Sequence, residues 1–420
     1  MKGRGTPTTG VLFVTYGAGH VDIVLSLLPR LQALGVPYKV LALTTAPARL
    51  RAAGYACTTP GDYLPVNGYE HAFKLGAELS TALWDSGSPL SWEESCAYLG
   101  ISMVDLIAQY GDAGAWNLYR EKGRKAFCPT RFLSLVLSVE QPSVVVTTCQ
   151  VRMERAAVLA ARQLGYPSVL VEDLFGYSLL GEVGVDSEPM LLPRKLWPDA
   201  VVVLNRQVKQ RLVEAGFPAD AVHPFGQPVF SDWLVKLQAA QPCDALADWR
   251  IEGRAVLTYA APGCFEVLLR HSSVLSQIAG RHPEWGLAIK LHPSVGLRSY
   301  LEAVGELPQN LRVLPAGQDI LPVIQSSDLV IVFSSSVGLL ALFAGKPLLV
   351  FDDSGEPQVM PYCSTGAAVA ASTLSELERA IDQQLVATSV RGEQMQSSWF
   401  ENPPEASERI AAWLQTFVKQ

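Results

Sequence analysis

The sequence predicts an α/β protein built as two doubly wound halves, each a parallel sheet flanked by helices. Residues 10–43 read as strand, helix, strand, and residues 287–351 as three strands with a helix between the last two, a pattern that makes the strands parallel. A chain of 420 residues suits about two domains. Apolar residues make up 49% of it and charged residues 17%, so large cores can be filled and a disordered chain is excluded. The net charge of −7 argues against a nucleic-acid binder that works through bulk charge. Seven cysteines lie scattered without a Cys-x-x-Cys pair, which fits reduced thiols in the cytoplasm rather than a disulfide framework. No run of about 18 uncharged apolar residues is present, so no membrane span is expected. Lys2 and Arg4 precede an apolar run in the manner of a secretory leader, but His20 and Asp22 interrupt it, and it reads as a first strand.

In chain order, Gly10–Tyr16 is an apolar strand, Gly17-Ala18-Gly19-His20 a tight turn, and Val21 to Leu34 a helix that stops at Gly35. Tyr38–Leu43 is the next strand and Ala46–Ala53 a short helix. Residues 60–130 are richer in Trp, Tyr, Gly and Ser, with Trp84, Trp92 and Trp116 spread through them. They read as an insertion or cap with helices near Glu70–Leu83 and Ala97–Tyr110. Helix then follows at Phe132–Val139, strand at Ser143–Thr147, helix at Arg152–Leu164 closing on Gly165, and strand at Ser168–Glu172. Ala200–Leu204 is another strand, and His223–Phe230 reads as the last strand region of the first half. The pattern weakens over 231–253, where a linker is expected. The domains are accordingly 1–235 and 250–400, with 401–420 as a final amphipathic helix expected to pack back on the first domain.

The second domain restarts with the strand Arg254–Tyr259, the helix Gly263–Ala279 and the strand Trp285–Leu291. Its later strands each end in a polar turn: His292-Pro293, then Ser334-Ser335-Ser336 after Leu329–Phe333, then Asp352-Asp353 after Leu348–Phe351. Parallel sheets bind ligands outside the carboxyl ends of their strands. A serine turn that opens a helix also presents unpaired backbone N–H groups to an anion. Residues His292 and Ser334–Ser336 are therefore a candidate phosphate site, although serines cap helices in any case. In the first domain His20 and the pair Glu172-Asp173 stand at equivalent strand ends and are candidate acids or bases. Gly17 and Gly19 would let backbone approach a substrate closely. The dinucleotide fingerprint is incomplete because Asp22 stands where its third glycine belongs, so no nicotinamide cofactor is expected. No His, Cys and Asp grouping has metal-ligand spacing.

Two such domains in this order resemble the GT-B fold of glycosyltransferases, two Rossmann-like domains facing across a cleft. The stretch YGAGHVDIVLSLLPRLQALG is similar to the glycine-rich loop and helix of nucleotide-sugar glycosyltransferases, with Asp22-Ile23-Val24 in place of their usual proline. KLHP followed by SSSVGLLALFAGKP resembles the HP and Ser-Ser motifs of bacterial capsule and lipopolysaccharide transferases, including sialyl- and Kdo-type enzymes. Specific likeness is confined to the C-terminal half. The resemblance implies a donor domain that binds a CMP- or UDP-linked sugar through Gly263, His292, Pro293 and Ser334–Ser336, with no metal and no cofactor. It implies catalysis by His20, or by Glu172 or Asp173, with His20 and Asp173 also readable as a base and its orienter. Gly17, Gly19, Asp352 and Asp353 would line the substrate, the two aspartates being equally readable as turn residues. Domain closure on donor binding is expected. The acceptor would be a glycan, a lipid-linked glycan, a protein or a small molecule, and a lipid-linked one would bring the chain to the inner face of the membrane. Two alternatives remain: a hydrolysing UDP-N-acetylglucosamine 2-epimerase, and a non-catalytic nucleotide-sugar-binding subunit.

Overall fold

The computed structural model describes residues 9–64, 68–81, 90–180, 191–356, 360–388, 400–403 and 405–418. The chain divides into two compact units, Met1–Ser231 with Asn402–Gln420, and Asp232–Glu401. Lys2, Arg4 and Trp84 lie outside the described residues.

The first unit holds six parallel strands: β1 (Thr9–Thr15), β2 (Tyr38–Ala42), β3 (Pro142–Thr147), β4 (Ser168–Val171), β5 (Ala200–Val202) and β6 (Val222–His223). Their order is β2-β1-β3-β4-β5-β6, so the direction of winding reverses between β1 and β3. Every residue of β1 is buried, as expected of a strand covered by helices on both faces. Helix Arg152–Leu164 turns Met153, Ala156, Ala157, Ala160 and Ala161 into the core, a stripe of helical period. Segment 60–130 contributes helices Ala72–Ser80 and Trp92–Lys122, the latter broken at Gly111 where φ is 71°. The C-terminal part of the expected Glu70–Leu83 helix extends past the described residues. These two helices touch backbone to backbone: a Cβ on Gly76 would stand 1.7 Å from the Cys96 carbonyl oxygen, and one on Gly100 1.7 Å from that of Ala72. The buried Asp105 carboxylate accepts from the Tyr69 hydroxyl and from the N–H groups of Arg131 and Phe132, which ties the long helix to the start of helix Thr130–Glu140. Helix Ala406–Val418 packs on helix Gly19–Ala33 of the same unit, with Glu408 2.9 Å from Arg30.

One expectation fails at the end of this unit. His223–Phe230 is not a strand: β6 stops at His223, and a helix runs from Pro228 to Ala239. Gly226 adopts φ 100°, and the Gln227 side-chain oxygen accepts from the N–H groups of Val229 (2.6 Å) and Phe230 (3.2 Å). Pro228 at the first turn then suits a helix start, and apolar content alone could not distinguish it from a strand. The expected linker 231–253 is thus largely helical, and Trp249 within it is buried against β-strand residue Gly286.

The second unit holds β7 (Ala255–Ala260), β8 (Trp285–Lys290), β9 (Leu311–Leu314), β10 (Leu329–Val332), β11 (Leu348–Phe351) and β12 (Val369–Ala371), all parallel. Their order, β12-β11-β10-β7-β8-β9, places the reversal between β7 and β10. Helices Phe265–Arg281 and Leu374–Thr388 pack apolar residues against this sheet, and its central strands LVIV and LLVF are buried throughout.

Candidate functional site

In the first unit the loops after β1, β3 and β4 gather around the reversal. Gly17 is required there, because a Cβ on it would lie 1.8 Å from the Thr45 hydroxyl oxygen. A Cβ on Gly19 would meet nothing within 4 Å, so the backbone beside His20 is open. Ala18 between them has φ 56°, a strained value for a residue with a Cβ. Asp22 is engaged by Arg49, which also donates to the Ala18 carbonyl.

His20 lies 3.9 Å from Asp173, Nδ1 to Oδ2. That nitrogen is buried and has no hydrogen-bond partner among the described residues, while the side chain as a whole is 27% exposed. Nε2 is therefore the accessible nitrogen. Burial raises the pKa of Asp173 above the usual carboxylate range. Glu172 is buried and anchored, accepting from the N–H groups of Leu174 (2.9 Å) and Ser178 (3.3 Å). Burial, then the charge of Asp173, raises its pKa as well. Of the two carboxylates only Asp173 faces His20.

Glu154 escaped the sequence reading. Fully buried, its carboxylate accepts from the N–H groups of Tyr16 (3.0 Å), Thr148 (2.5 Å) and Cys149 (2.8 Å) and so clamps the loops after β1 and β3 together. The available signal was a glutamate in the first turn of a helix that directly follows a strand. The Tyr16 hydroxyl, 2.9 Å from that of Tyr98, accepts from the Met153 N–H and braces the same corner.

In the second unit, Gly263 after β7 and His292 after β8 are neighbours: a Cβ on Gly263 would stand 3.1 Å from His292 Nδ1 and 3.2 Å from the Ser294 hydroxyl oxygen. The Ser294 N–H donates to His292 Nδ1 at 3.2 Å. A neutral ring therefore carries its proton on Nε2. Desolvation and the nearby Lys290 ammonium lower the pKa of His292, so this histidine offers a hydrogen bond rather than a positive charge. Lys290 itself is buried, with Nζ donating to the carbonyls of Leu291 and Ala316. Pro293 is exposed beside His292.

The serine turn divides its duties. The Ser335 hydroxyl accepts from the N–H of Val337, the first residue of helix Val337–Phe343, at 3.2 Å, while its carbonyl accepts from the Tyr362 hydroxyl. The hydroxyls of Ser334 and Ser336 make no hydrogen bond within the described residues, and Ser334 is exposed. Asp352 accepts from the N–H and hydroxyl of Ser354, a local turn. Asp353 is held by Arg270 and His271. Among the described residues no group of three His, Cys, Asp or Glu side chains could hold a metal ion, and no helix is long and apolar enough to cross a membrane. All seven cysteines are free thiols.

No family model and no curated protein matches the sequence. Solved structures do match in fold. The UDP-GlcNAc 2-epimerase of Neisseria meningitidis bound to UDP-GlcNAc superposes with a TM-score of 0.63 over 97% of this chain and 100% of that one, at 15% identity. The fold is GT-B. The S. aureus MnaA–UDP structure gives a TM-score of 0.64 at 12% identity over 98% of this chain and 97% of that one. The glycotransferase of kitacinnamycin gives 0.57 at 13% identity over 98% of this chain and 100% of that one.

Proposed function

We propose that the chain is a nucleotide-sugar glycosyltransferase whose second unit holds the nucleotide and whose first unit supplies the base. The observation that carries this reading is the posture of His20, with Nδ1 turned inward 3.9 Å from Asp173 and Nε2 left accessible. Catalytic hydrogen bonds are commonly long before substrate binds. In the reaction, Nε2 takes the proton of an acceptor hydroxyl and the Asp173 carboxylate stabilises the resulting imidazolium. The hydroxyl oxygen bonds to the anomeric carbon. The bond from that carbon to the nucleotide phosphate breaks, and its electron pair leaves on the phosphate oxygen.

That departing phosphate would be met by donors rather than by a metal: His292 Nε2–H, the hydroxyls of Ser334 and Ser336, and the backbone of the serine turn. Gly263 would keep the space beside His292 open to the nucleotide. Glu172 would position Asp173 and its loop. Asp352 keeps the role of a sugar-hydroxyl acceptor only if its Ser354 contacts give way. Fold neighbours described as bound to UDP-GlcNAc or UDP support UDP as the first nucleotide to test, and the sequence likeness to sialyl- and Kdo-type transferases supports CMP as the second. A thermal-shift panel of CMP, CDP, UDP and GDP tests the donor site, and a failure of all four to stabilise the protein would remove it.

A second reading, a 2-epimerase acting on UDP-GlcNAc, here in its hydrolysing form, is supported by the several fold neighbours described as UDP-GlcNAc 2-epimerases. It needs acids and bases at both faces of the sugar ring. Here Glu154 and Glu172 have their oxygens committed to backbone N–H groups, which leaves His20 and Asp173. Product analysis separates the readings: free UDP and a sugar inverted at its second carbon, formed from UDP-GlcNAc without any acceptor, would overturn the transferase.

A further inference from the structure

Beneath the turns of the second unit runs a buried polar chain that the function above does not use. Tyr259 on β7 and His271 on helix Phe265–Arg281 are both fully buried. The Tyr259 hydroxyl lies 2.6 Å from His271 Nδ1, and His271 Nε2 lies 3.0 Å from Asp353 Oδ1. An ionised carboxylate can only accept, so Nε2 carries the ring proton and Nδ1 accepts from the tyrosine. Burial lowers the pKa of His271, in keeping with this neutral ring. Arg270 closes the chain with a two-pronged pair to Asp353, 3.0 and 2.8 Å.

The imidazole also touches the ends of two further strands. Its centroid is 4.4 Å from that of Phe351, which directly precedes Asp352, and 5.5 Å from that of Phe333, which directly precedes Ser334. One side chain thus contacts β7, the serine turn's leading residue and the aspartate turn's leading residue. An apolar side chain of similar volume would fill the same space without any desolvation cost. A fully satisfied polar chain adds direction, because each hydrogen bond fixes the angle of the group it meets.

We propose that Tyr259, His271 and Asp353 form a positioning relay that fixes the turns after β10 and β11 for nucleotide binding, and that Asp353 anchors this relay instead of contacting the sugar. The proposal rests on the nucleotide-site reading of the second unit. It is tested by calorimetric titration of UDP and of CMP into the unchanged protein and into Tyr259→Phe, His271→Gln and His271→Leu. His271→Leu, which removes both hydrogen bonds, weakens binding about tenfold or more. His271→Gln retains an N–H donor for Asp353 and recovers part of the loss. Tyr259→Phe removes a single hydroxyl and falls between them. Hydrogen exchange at 333–338 and 352–356 quickens in the same rank order. Melting temperatures separate packing from positioning: if His271→Leu melts earlier yet every variant binds within about twofold of the unchanged protein, the relay is structural only and the proposal fails. Should His271→Leu not fold, Tyr259→Phe decides by the same criterion. Absence of binding of both nucleotides to the unchanged protein would instead remove the underlying nucleotide reading, and the relay with it.

Discussion

At the scale of single residues, the first unit separates groups that can react from groups that hold. His20 presents an accessible Nε2, and Asp173 stands behind its Nδ1. His20→Ala is expected to lower kcat by roughly a hundredfold or more while leaving the nucleotide Kd unchanged, measured by turnover and calorimetry side by side. Asp173→Asn leaves the ring without an ionised orienter and is expected to lower kcat less, again without touching the nucleotide Kd. The raised pKa values of Glu172 and Asp173 give a stability test with a definite sign. Above the ordinary carboxylate range and up to their raised values, the native protein holds more protons than the unfolded chain, so stability falls as pH rises through that window. Denaturant midpoints against pH should show this slope in the unchanged protein and a flatter one in Asp173→Asn. The places of His20 and the Glu172-Asp173 pair at strand ends were legible from the apolar runs before them, and strand ends in a parallel sheet are where ligands bind. Glu154 was not, because a single buried carboxylate clamping two loops has no spacing signature.

At the scale of elements, glycines and one histidine carry the joints. Helices Ala72–Ser80 and Trp92–Lys122 meet at Gly76 and Gly100 with no room for a methyl group. Gly100→Ala should destabilise the first unit by about 3 kcal/mol or more, since backbone rather than a flexible side chain must yield, and urea unfolding reads this directly. In the second unit His282 stacks on Trp285 at 3.8 Å and bonds Glu284 and Glu378, joining the end of helix Phe265–Arg281 to helix Leu374–Thr388. Burial pulls its pKa down, but the two carboxylates outweigh this and raise it. Their contribution is full below the unfolded pKa of about 6.5 and is lost as pH rises through the raised native value. His282→Gln should therefore cost roughly 1 kcal/mol in mild acid and progressively less toward alkaline pH, followed by denaturant midpoints across that range. Most strands and helices were readable from periodicity. The segment after His223 was not, because an apolar run broken by glycine and proline fits a strand end or a helix start equally, and the Gln227 side chain decided it.

At the scale of the whole chain, two parallel six-stranded sheets place one candidate base and one candidate phosphate site on different units. UDP at about a hundredfold excess over its Kd should stabilise the protein by about 2.7 kcal/mol. Slowed hydrogen exchange should concentrate at 263, 292–294 and 334–336; protection confined to the first unit would reverse the assignment of donor and base.

The sequence by itself determined the fold class and the strand ends worth watching, since both follow from local quantities: apolar period, glycine stops and polar residues at strand termini. Tertiary structure alone decided which of those polar residues are already committed. The Ser335 hydroxyl is taken by the Val337 N–H, Asp353 is bound by Arg270 and His271, and Glu172 is tied to backbone N–H groups, whereas among the described residues His20 Nε2 and the hydroxyls of Ser334 and Ser336 keep their bonding capacity. The physical reason is that a side chain's availability depends on partners distant in sequence, as the 131-residue separation of Thr9 from Glu140 and the 83-residue separation of Arg270 from Asp353 illustrate. Periodicity carries no record of such pairings.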